Sequence, residues 1–313
     1  MKIVLTGGNG MVGRNIRDHA MAGQHELITP RSSELDLTDG PASEAYIARV
    51  KPDMIIHAAG RVGGIQANMA HPVEFLVENL DMGRNIVMAA RKAGTARLLN
   101  IGSSCMYPRE APNPLEESAV LTGELEPTNE GYALAKVMTA RLCDYIRKSS
   151  PDLAYKTLIP CNIFGLHDKF DPAVSHLLPA IIRKVDDARR NGAESVEIWG
   201  SGEARREFMF ASDLADGIWT AVERFADLPG MMNMGVGHDH SINEYYAAVA
   251  RVIGWQGSFS HDLSKPVGMQ QKLVSVALQR QFGWLPSTSL DDAIAQTYAH
   301  FRVPQATAEE TKP

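Results

Sequence analysis

The chain of 313 residues is short of several things, and each shortage removes a class of protein. It has three cysteines, Cys105, Cys143 and Cys161. Their number is odd and their spacing fits no metal-ligand pattern, so neither a disulfide framework nor a metal-bound module is expected; a reduced, cytoplasmic setting is. No apolar run is long enough to cross a bilayer. Met1-Lys2-Ile3-Val4-Leu5-Thr6 has the charged start of a signal peptide, but its apolar run breaks into glycine at once and reads as a first strand. Positive charge is not in excess: 31 Lys and Arg against 37 Asp and Glu leave a formal net charge of −6, which argues against a general nucleic-acid binder. Internal repeats and low-complexity segments are missing as well. What remains, 44% hydrophobic and 22% charged residues, is the composition of an ordinary globular chain with one large domain or two smaller ones.

Short apolar runs alternate with helical patterns through the first half. The pattern predicts strands at Ile3–Leu5, Glu26–Thr29, Met54–Ala58, Arg97–Ile101 and Tyr155–Pro160, and helices at Met11–Ala22, Val73–Ala93 and Tyr132–Lys148. Such alternation implies an α/β fold with a Rossmann-type, doubly wound parallel sheet, whose ligand lies beyond the carboxyl ends of the strands. After Pro160 the pattern changes. Residues 161–176, with Gly165 and Pro172, read as loop, followed by a helix over Leu177–Asn191 and a strand over Val196–Trp199. Phe208–Phe210 leads through Ser212, a candidate N-cap, into a helix near Asp213–Phe225; Met232–Val236 reads as strand, and Ser241 as the cap of a helix running to Ile253. The residues from Pro304 to Pro313 are polar and expected to fray.

Three motifs sit at the ends of predicted strands. The first is Thr6-Gly7-Gly8-Asn9-Gly10-Met11-Val12-Gly13, a Gly-x-Gly-x-x-Gly turn between a strand and a helix. In that context glycines permit a tight turn and close approach to a dinucleotide pyrophosphate, which the helix N-terminus attracts. Gly7, Gly10, Met11, Val12 and Gly13 are the candidate contacts. The second strand ends in Arg31-Ser32-Ser33, with its acids Glu34 and Asp36 only later; Arg31 suits a 2′-phosphate and points to NADP(H) rather than NAD(H). Asp36 and Leu37 are placed near the adenine.

The second and third motifs are Gly102-Ser103-Ser104-Cys105-Met106-Tyr107-Pro108 and Tyr132-Ala133-Leu134-Ala135-Lys136. Tyr132 and Lys136 are four apart and share a helix face. An ammonium beside a phenol lowers its pKa, so Tyr132 can protonate a carbonyl oxygen as hydride reaches the carbon, while Lys136 holds the nicotinamide ribose and Ser103 orients the carbonyl. Cys105 lies two residues from Ser103, close to the same carbonyl.

On these residues the chain resembles the extended short-chain dehydrogenase/reductases, and within them the branch that epimerises and reduces GDP-linked 4-keto-6-deoxy sugars. The narrower part of the resemblance lies in Ala58-Ala59-Gly60-Arg61-Val62-Gly63-Gly64-Ile65, the Ser-Ser-Cys-x-Tyr-Pro segment, Leu125-Glu126-Pro127-Thr128-Asn129-Glu130, Asn162-Ile163-Phe164-Gly165-Leu166-His167-Asp168, Ser175-His176 and Trp199-Gly200-Ser201-Gly202. The resemblance implies that residues 1–165 form an NADP-binding domain to which a segment near 207–236 returns, and that 166–206 and 237–313 form a smaller C-terminal α/β substrate-binding lobe. Ala58, Ala59 and His176 join the cofactor contacts.

A 4-keto sugar has acidic hydrogens on C3 and C5, and inverting those centres needs a base on one face and an acid on the other. The resemblance assigns this pair to Cys105 and His176; we expect Cys105 to act as base and His176 as acid, with the order of transfer open. It assigns the nucleotide-sugar handle to Asn162, Lys184, Trp199, Arg206 and Lys272. Lys184 stands where the family often has Arg, and Gln270-Gln271-Lys272-Leu273 lacks an Arg and an Asp usual there. The expected reaction is NADPH-dependent 3,5-epimerisation and 4-reduction of GDP-4-keto-6-deoxy-D-mannose by a homodimer joined through helices near Asn79–Ala93 and Tyr132–Lys148. A 3-deoxy substrate epimerised at C5 alone, or a GDP-heptose reduced at C4, are the alternatives. A non-catalytic NADP sensor ranks below them, because Ser103, Tyr132 and Lys136 are all retained. Cys143 reads as a buried hydrophobe, and Cys161 as a residue bordering the site. His19, His25, His57, His71 and His300 read as structural or solvated.

Overall fold

The computed structural model describes residues 1–171, 175–265 and 268–303. The first half runs β1 (Lys2–Thr6), α1 (Met11–Asp18), β2 (Glu26–Ile28), α2 (Gly40–Val50), β3 (Met54–His57), α3 (Ile65–Ala70), α4 (Pro72–Ala93), β4 (Arg97–Ile101), α5 (Glu130–Ser149) and β5 (Ala154–Pro160). The second half continues with β6 (Asn162–Phe164), α6 (Leu177–Asn191), β7 (Ser195–Trp199), β8 (Arg205–Arg206), β9 (Phe208–Phe210), α7 (Ala211–Glu223) and β10 (Met231–Met234). It closes with β11 (His240–Ser241), α8 (Ile242–Ile253), β12 (Ser258–Asp262), β13 (Gln271–Lys272), α9 (Ala277–Phe282) and α10 (Leu290–Arg302).

The central sheet has the order β10-β5-β4-β3-β1-β2, and every neighbouring pair is parallel. Its strands are near-continuous hydrophobic runs because both faces are covered. The twofold alternation of a strand divides them: Ile3, Leu5, Met54, Ile56 and Leu99 enter one core with Ile16 of α1 and Trp219 of α7, while Val4, Ile55 and Leu98 enter another with Ile47 of α2 and Ile86 of α4. A third core, around Phe164, Leu178, Ile182, Ile198, Tyr245 and Ile294, belongs to the C-terminal half. The order of strand addition reverses between β1 and β3, so the crevice above these two strands is the switch point where such sheets bind ligands.

The doubly wound parallel sheet is as the sequence implied, and β10 does return to it, beside β5. Several local details differ. The helix expected over Met11–Ala22 ends at Asp18, where His19 turns the chain into a short 3-10 segment over Ala20–Gln24. Ser212 caps nothing: α7 begins at Ala211, and the Ser212 hydroxyl donates instead to Asn15 Oδ1 at 2.9 Å. The supposed loop 161–176 contains β6, which pairs with β9. Ser241 caps α8 as expected, in a reciprocal capping box with Glu244. The tail 304–313, Pro172 and the Pro266-Val267 pair lie outside the described residues. No helix among the described residues is long and apolar enough to cross a membrane.

One buried lysine secures the sheet to the chain leaving α7. Lys156 of β5 is 8% exposed and donates to the carbonyls of Phe225 at 2.6 Å and Ala226 at 3.3 Å, and to that of Leu228. Lys156→Met keeps the stem and strands those carbonyls, so it should lower the unfolding free energy by about 2 kcal/mol in urea titrations. A change below about 0.5 kcal/mol would contradict this role.

Candidate active site

Gly7 has φ +73°, a conformation that suits glycine, and a Cβ there would lie 2.6 Å from the backbone nitrogen of Ala59. The turn after β1 is thus pressed against the segment after β3, at the switch point. A Cβ on Gly13 would meet the Gly7 carbonyl oxygen at 2.2 Å. Gly10 is the N-cap of α1 and offers no side chain to its first-turn N–H groups. That leaves a side-chain-free cradle at a helix N-terminus, which fits a dinucleotide pyrophosphate. Arg31 is exposed on the loop after β2, whose shape is held by Glu34 accepting from the Arg31 backbone N–H at 2.7 Å. Asp36 is exposed and closes a turn with Thr38, while Leu37 is buried beneath it.

The catalytic candidates converge where β4 meets α5. Ser103 follows β4 and caps a short 3-10 turn over Ser104–Met106, its Oγ accepting from the Cys105 N–H at 3.4 Å. Cys105 is buried and packs with Tyr132, Ala133 and Leu125. The Ser103 hydroxyl faces the Tyr132 phenol and works against the rise that burial imposes on its pKa. Lys136, 7% exposed, donates to the Ile101 carbonyl at 3.0 Å and stands 5.8 Å from the centroid of the Tyr132 ring. Tyr107 anchors this loop from below: its hydroxyl donates to Asn233 Oδ1 at 2.6 Å, and Asn233 Nδ2 donates to the Leu115 carbonyl at 2.9 Å.

Burial controls the charges here. It lowers the Lys136 pKa to about 8, against a smaller opposing pull from Cys105. Burial raises Tyr132, and Cys105 adds to the rise, so the phenol keeps its proton; the expected depression by Lys136 is absent because that ammonium is turned to the Ile101 carbonyl. Burial also raises Cys105, opposed by Lys272, Ser103 and Lys136. His176 is the N-cap of α6, and burial followed by the Lys169 charge lowers its pKa. The resting pair is therefore thiol and neutral imidazole, the reverse of the protonation that a Cys105 base and a His176 acid require. The backbone carbonyl of Ser175, next to His176, faces Gly64, whose Cβ would lie 3.3 Å from it. His176 thus stands across from the Gly60–Ile65 segment.

The nucleotide-sugar candidates fall into two groups. Arg206 and Lys272 are paired across parallel strands β8 and β13, and Asn162 Nδ2 donates to the Glu207 carbonyl at 2.8 Å beside them. Lys184 and Trp199 form the second group: the ammonium donates to the Glu197 carbonyl at 2.6 Å and lies 5.9 Å from the exposed indole, with Lys265 5.5 Å from it. Cys161 is buried near Lys272 and Glu207, and Cys143 is in the core. His57, against Thr6 Oγ1 at 2.8 Å, is fully buried and held neutral, its pKa lowered to about 3 by burial and then by Lys136. The sequence reading missed Glu207. It sits between two arginines and phenylalanines and looks like part of a solvated charge run, yet it is fully buried.

A family model described as the NAD dependent epimerase/dehydratase family matches residues 3–235. The chain belongs to that family. Within this epimerase/dehydratase family it is 50% identical over 301 residues to a GDP-L-colitose synthase of Yersinia pseudotuberculosis, covering 96% of this chain and 98% of that one. It is also 50% identical over 300 residues to a GDP-L-fucose synthase of Azorhizobium caulinodans, covering 96% of each. A solved GDP-mannoheptose C4 reductase from Campylobacter jejuni with NADP bound superposes with a TM-score of 0.86 at 27% identity, covering 96% of this chain and 98% of that one.

The lysine is the part of this site that titrates in an accessible range. In the free protein, the NMR signal of the Lys136 Cε in selectively labelled chain should shift with a midpoint near pH 8. A midpoint above about 10, the ordinary lysine range, would contradict the burial argument.

Proposed function

We propose that the chain is an NADPH-dependent epimerase and 4-reductase that converts GDP-4-keto-6-deoxy-D-mannose to GDP-L-fucose. The observation that carries this reading is the convergence of Ser103, Cys105 and Tyr132 on one buried locus, with Lys136 and Lys272 as its cations. NADPH would be held by Gly7, Gly10, Met11, Val12 and Gly13 at its pyrophosphate, by Arg31 at its 2′-phosphate, with Asp36 and Leu37 by the adenine and Ala58 and Ala59 beneath the dinucleotide. When bound, it supplies hydride to C4 of the sugar.

The chain's own residues do the rest. Tyr132, kept protonated by burial, donates its proton to the C4 oxygen, and Ser103 holds that oxygen in place. The Lys136 ammonium fixes the nicotinamide ribose and offsets the charge left on Tyr132. Before reduction, Cys105 and His176 exchange the protons at C3 and C5 from opposite faces while the carbonyl stabilises the enolate. Lys272 and Lys136 favour the thiolate that Cys105 needs to act as base. Arg206 and Lys272 receive the diphosphate, with Asn162 beside them, and Lys184 and Trp199 meet the guanosine end.

We assign residues 1–165, with the returning segment near 207–236, to the cofactor, and 166–206 with 237–313 to the sugar nucleotide. Two copies would join through α4 and α5, which leave Val73, Val77, Leu134, Met138 and Tyr145 exposed. A second reading, C5 epimerisation of a 3-deoxy substrate toward GDP-L-colitose, is favoured by the equal identity to a synthase of that name and by the unusual Gln270-Gln271 segment.

The purified chain should oxidise NADPH with GDP-4-keto-6-deoxy-D-mannose and yield GDP-L-fucose by NMR. Activity only on the 3-deoxy substrate, with solvent deuterium at C5 alone, would replace it with the colitose reading; NADPH binding without turnover of either would overturn both. Arg31→Ala should weaken NADPH binding about tenfold or more and leave NADH binding unchanged.

A further inference from the structure

We propose that Glu207 is a positioning residue that sets Arg206 and Lys272 to receive the diphosphate of the sugar nucleotide; this rests on the sugar-nucleotide reading above. Glu207 joins β8 to β9 and is fully buried. Its carboxylate meets backbone rather than a cation. Oε1 accepts from the N–H groups of Val236 at 2.6 Å and Gly237 at 2.8 Å, and Oε2 accepts from Val274 at 2.9 Å. The Glu207 N–H donates to the Lys272 carbonyl at 3.3 Å, and the Glu207 carbonyl accepts from Asn162 Nδ2.

The Glu207 side chain therefore ties the chain leaving β10 to the chain leaving β13, while its backbone N–H and carbonyl hold Lys272 of β13 and the Asn162 side chain at the start of β6. The chain packs closely enough that a Cβ on Gly235 would lie 2.7 Å from Glu207 Oε1. Lys272 sits two residues before Val274 and directly across from Arg206, so the carboxylate's bond to Val274 fixes the register that brings the two cations side by side.

The cations are placed for an anion. Neither Arg206 nor Lys272 forms a salt bridge among the described residues, whereas the neighbouring Arg205 is committed to Asp239 at 2.7 Å. Arg206 Nη1 donates only to the Arg205 carbonyl, at 2.8 Å. The pKa values of both cations are lowered chiefly by burial; Arg206 lowers Lys272 further, while Glu126 pulls both up and Asp239 adds to the pull on Arg206. Glu207 cannot neutralise them, because its lone pairs point at backbone donors. Glu126 and Asp239 act on the pair only from beyond salt-bridge distance, which leaves room for the direct contacts a diphosphate makes.

The test is binding of free GDP and of NADPH, by calorimetry, to the wild-type chain, Glu207→Gln and Glu207→Asp, with KM and kcat measured beside it. The amide keeps the volume but sets an N–H₂ against the Val274 N–H. Glu207→Gln should weaken GDP binding and raise KM for the sugar nucleotide about tenfold, with kcat and NADPH affinity little changed. Glu207→Asp, which keeps the acceptor charge, should recover part of the loss and covers the case of an amide variant that does not fold. Unchanged GDP affinity in a folded variant, or equal loss of GDP and NADPH binding, would overturn the proposal. A wild-type chain that binds NADPH but no GDP would overturn the sugar-nucleotide reading and this proposal with it.

Discussion

Everything in the site depends on the strands of the central sheet running in parallel. Parallel strands put every strand-to-helix turn on one edge, so residues far apart in sequence share one surface. The glycine turn after β1, Ala58 and Ala59 after β3, and Ser103 after β4 meet there because the register leaves no other place for them. The contact between Gly7 and Ala59 is the tightest expression of this constraint: a side chain at position 7 would push apart the two turns that make the crevice.

The second half of the chain adds the Arg206–Lys272 strand pair beside the Cys105 turn. It does so through buried polar groups rather than through apolar contact alone. Asn233, at the edge of the sheet, holds Tyr107 beneath the Cys105 turn, and Glu207 holds the cationic strand pair above the same region. Both are fully buried and make several hydrogen bonds that fix the geometry; for Glu207 these bonds only partly offset burial, which raises its pKa to about 7. The low polarity around Cys105, Tyr132 and Lys136 then sets their protonation: burial holds the phenol and thiol neutral and weakens the lysine's hold on its proton.

Much of this was legible in the sequence, and the reason differs by element. The strand alternation and the glycine turn were readable because backbone demands write themselves into residue type. The span of α6 was read without error, and Ser241 with Glu244 three residues on marked the start of α8. What escaped was non-local. Ser212 looks like a cap by type, but its hydroxyl is drawn to Asn15, 197 positions away. Three-residue β6 carries too short a pattern to separate from loop. α2, opened by Gly40-Pro41, has only weak amphipathic patterning and was not read at all. Glu207 was invisible because nothing local says that a glutamate following two arginines is buried, and the lowered pKa expected for Tyr132 failed because the orientation of Lys136 is set by the Ile101 carbonyl.

The central claim is that proton exchange and reduction share one carbonyl but use different residues. It is tested most directly by proton–deuterium exchange at C3 and C5 of GDP-4-keto-6-deoxy-D-mannose in D2O, followed by NMR with the Tyr132→Phe variant. The account predicts that exchange persists at both carbons while reduction falls by a factor of about 10² to 10⁴. Loss of exchange together with reduction in a folded variant that still binds NADPH would contradict it.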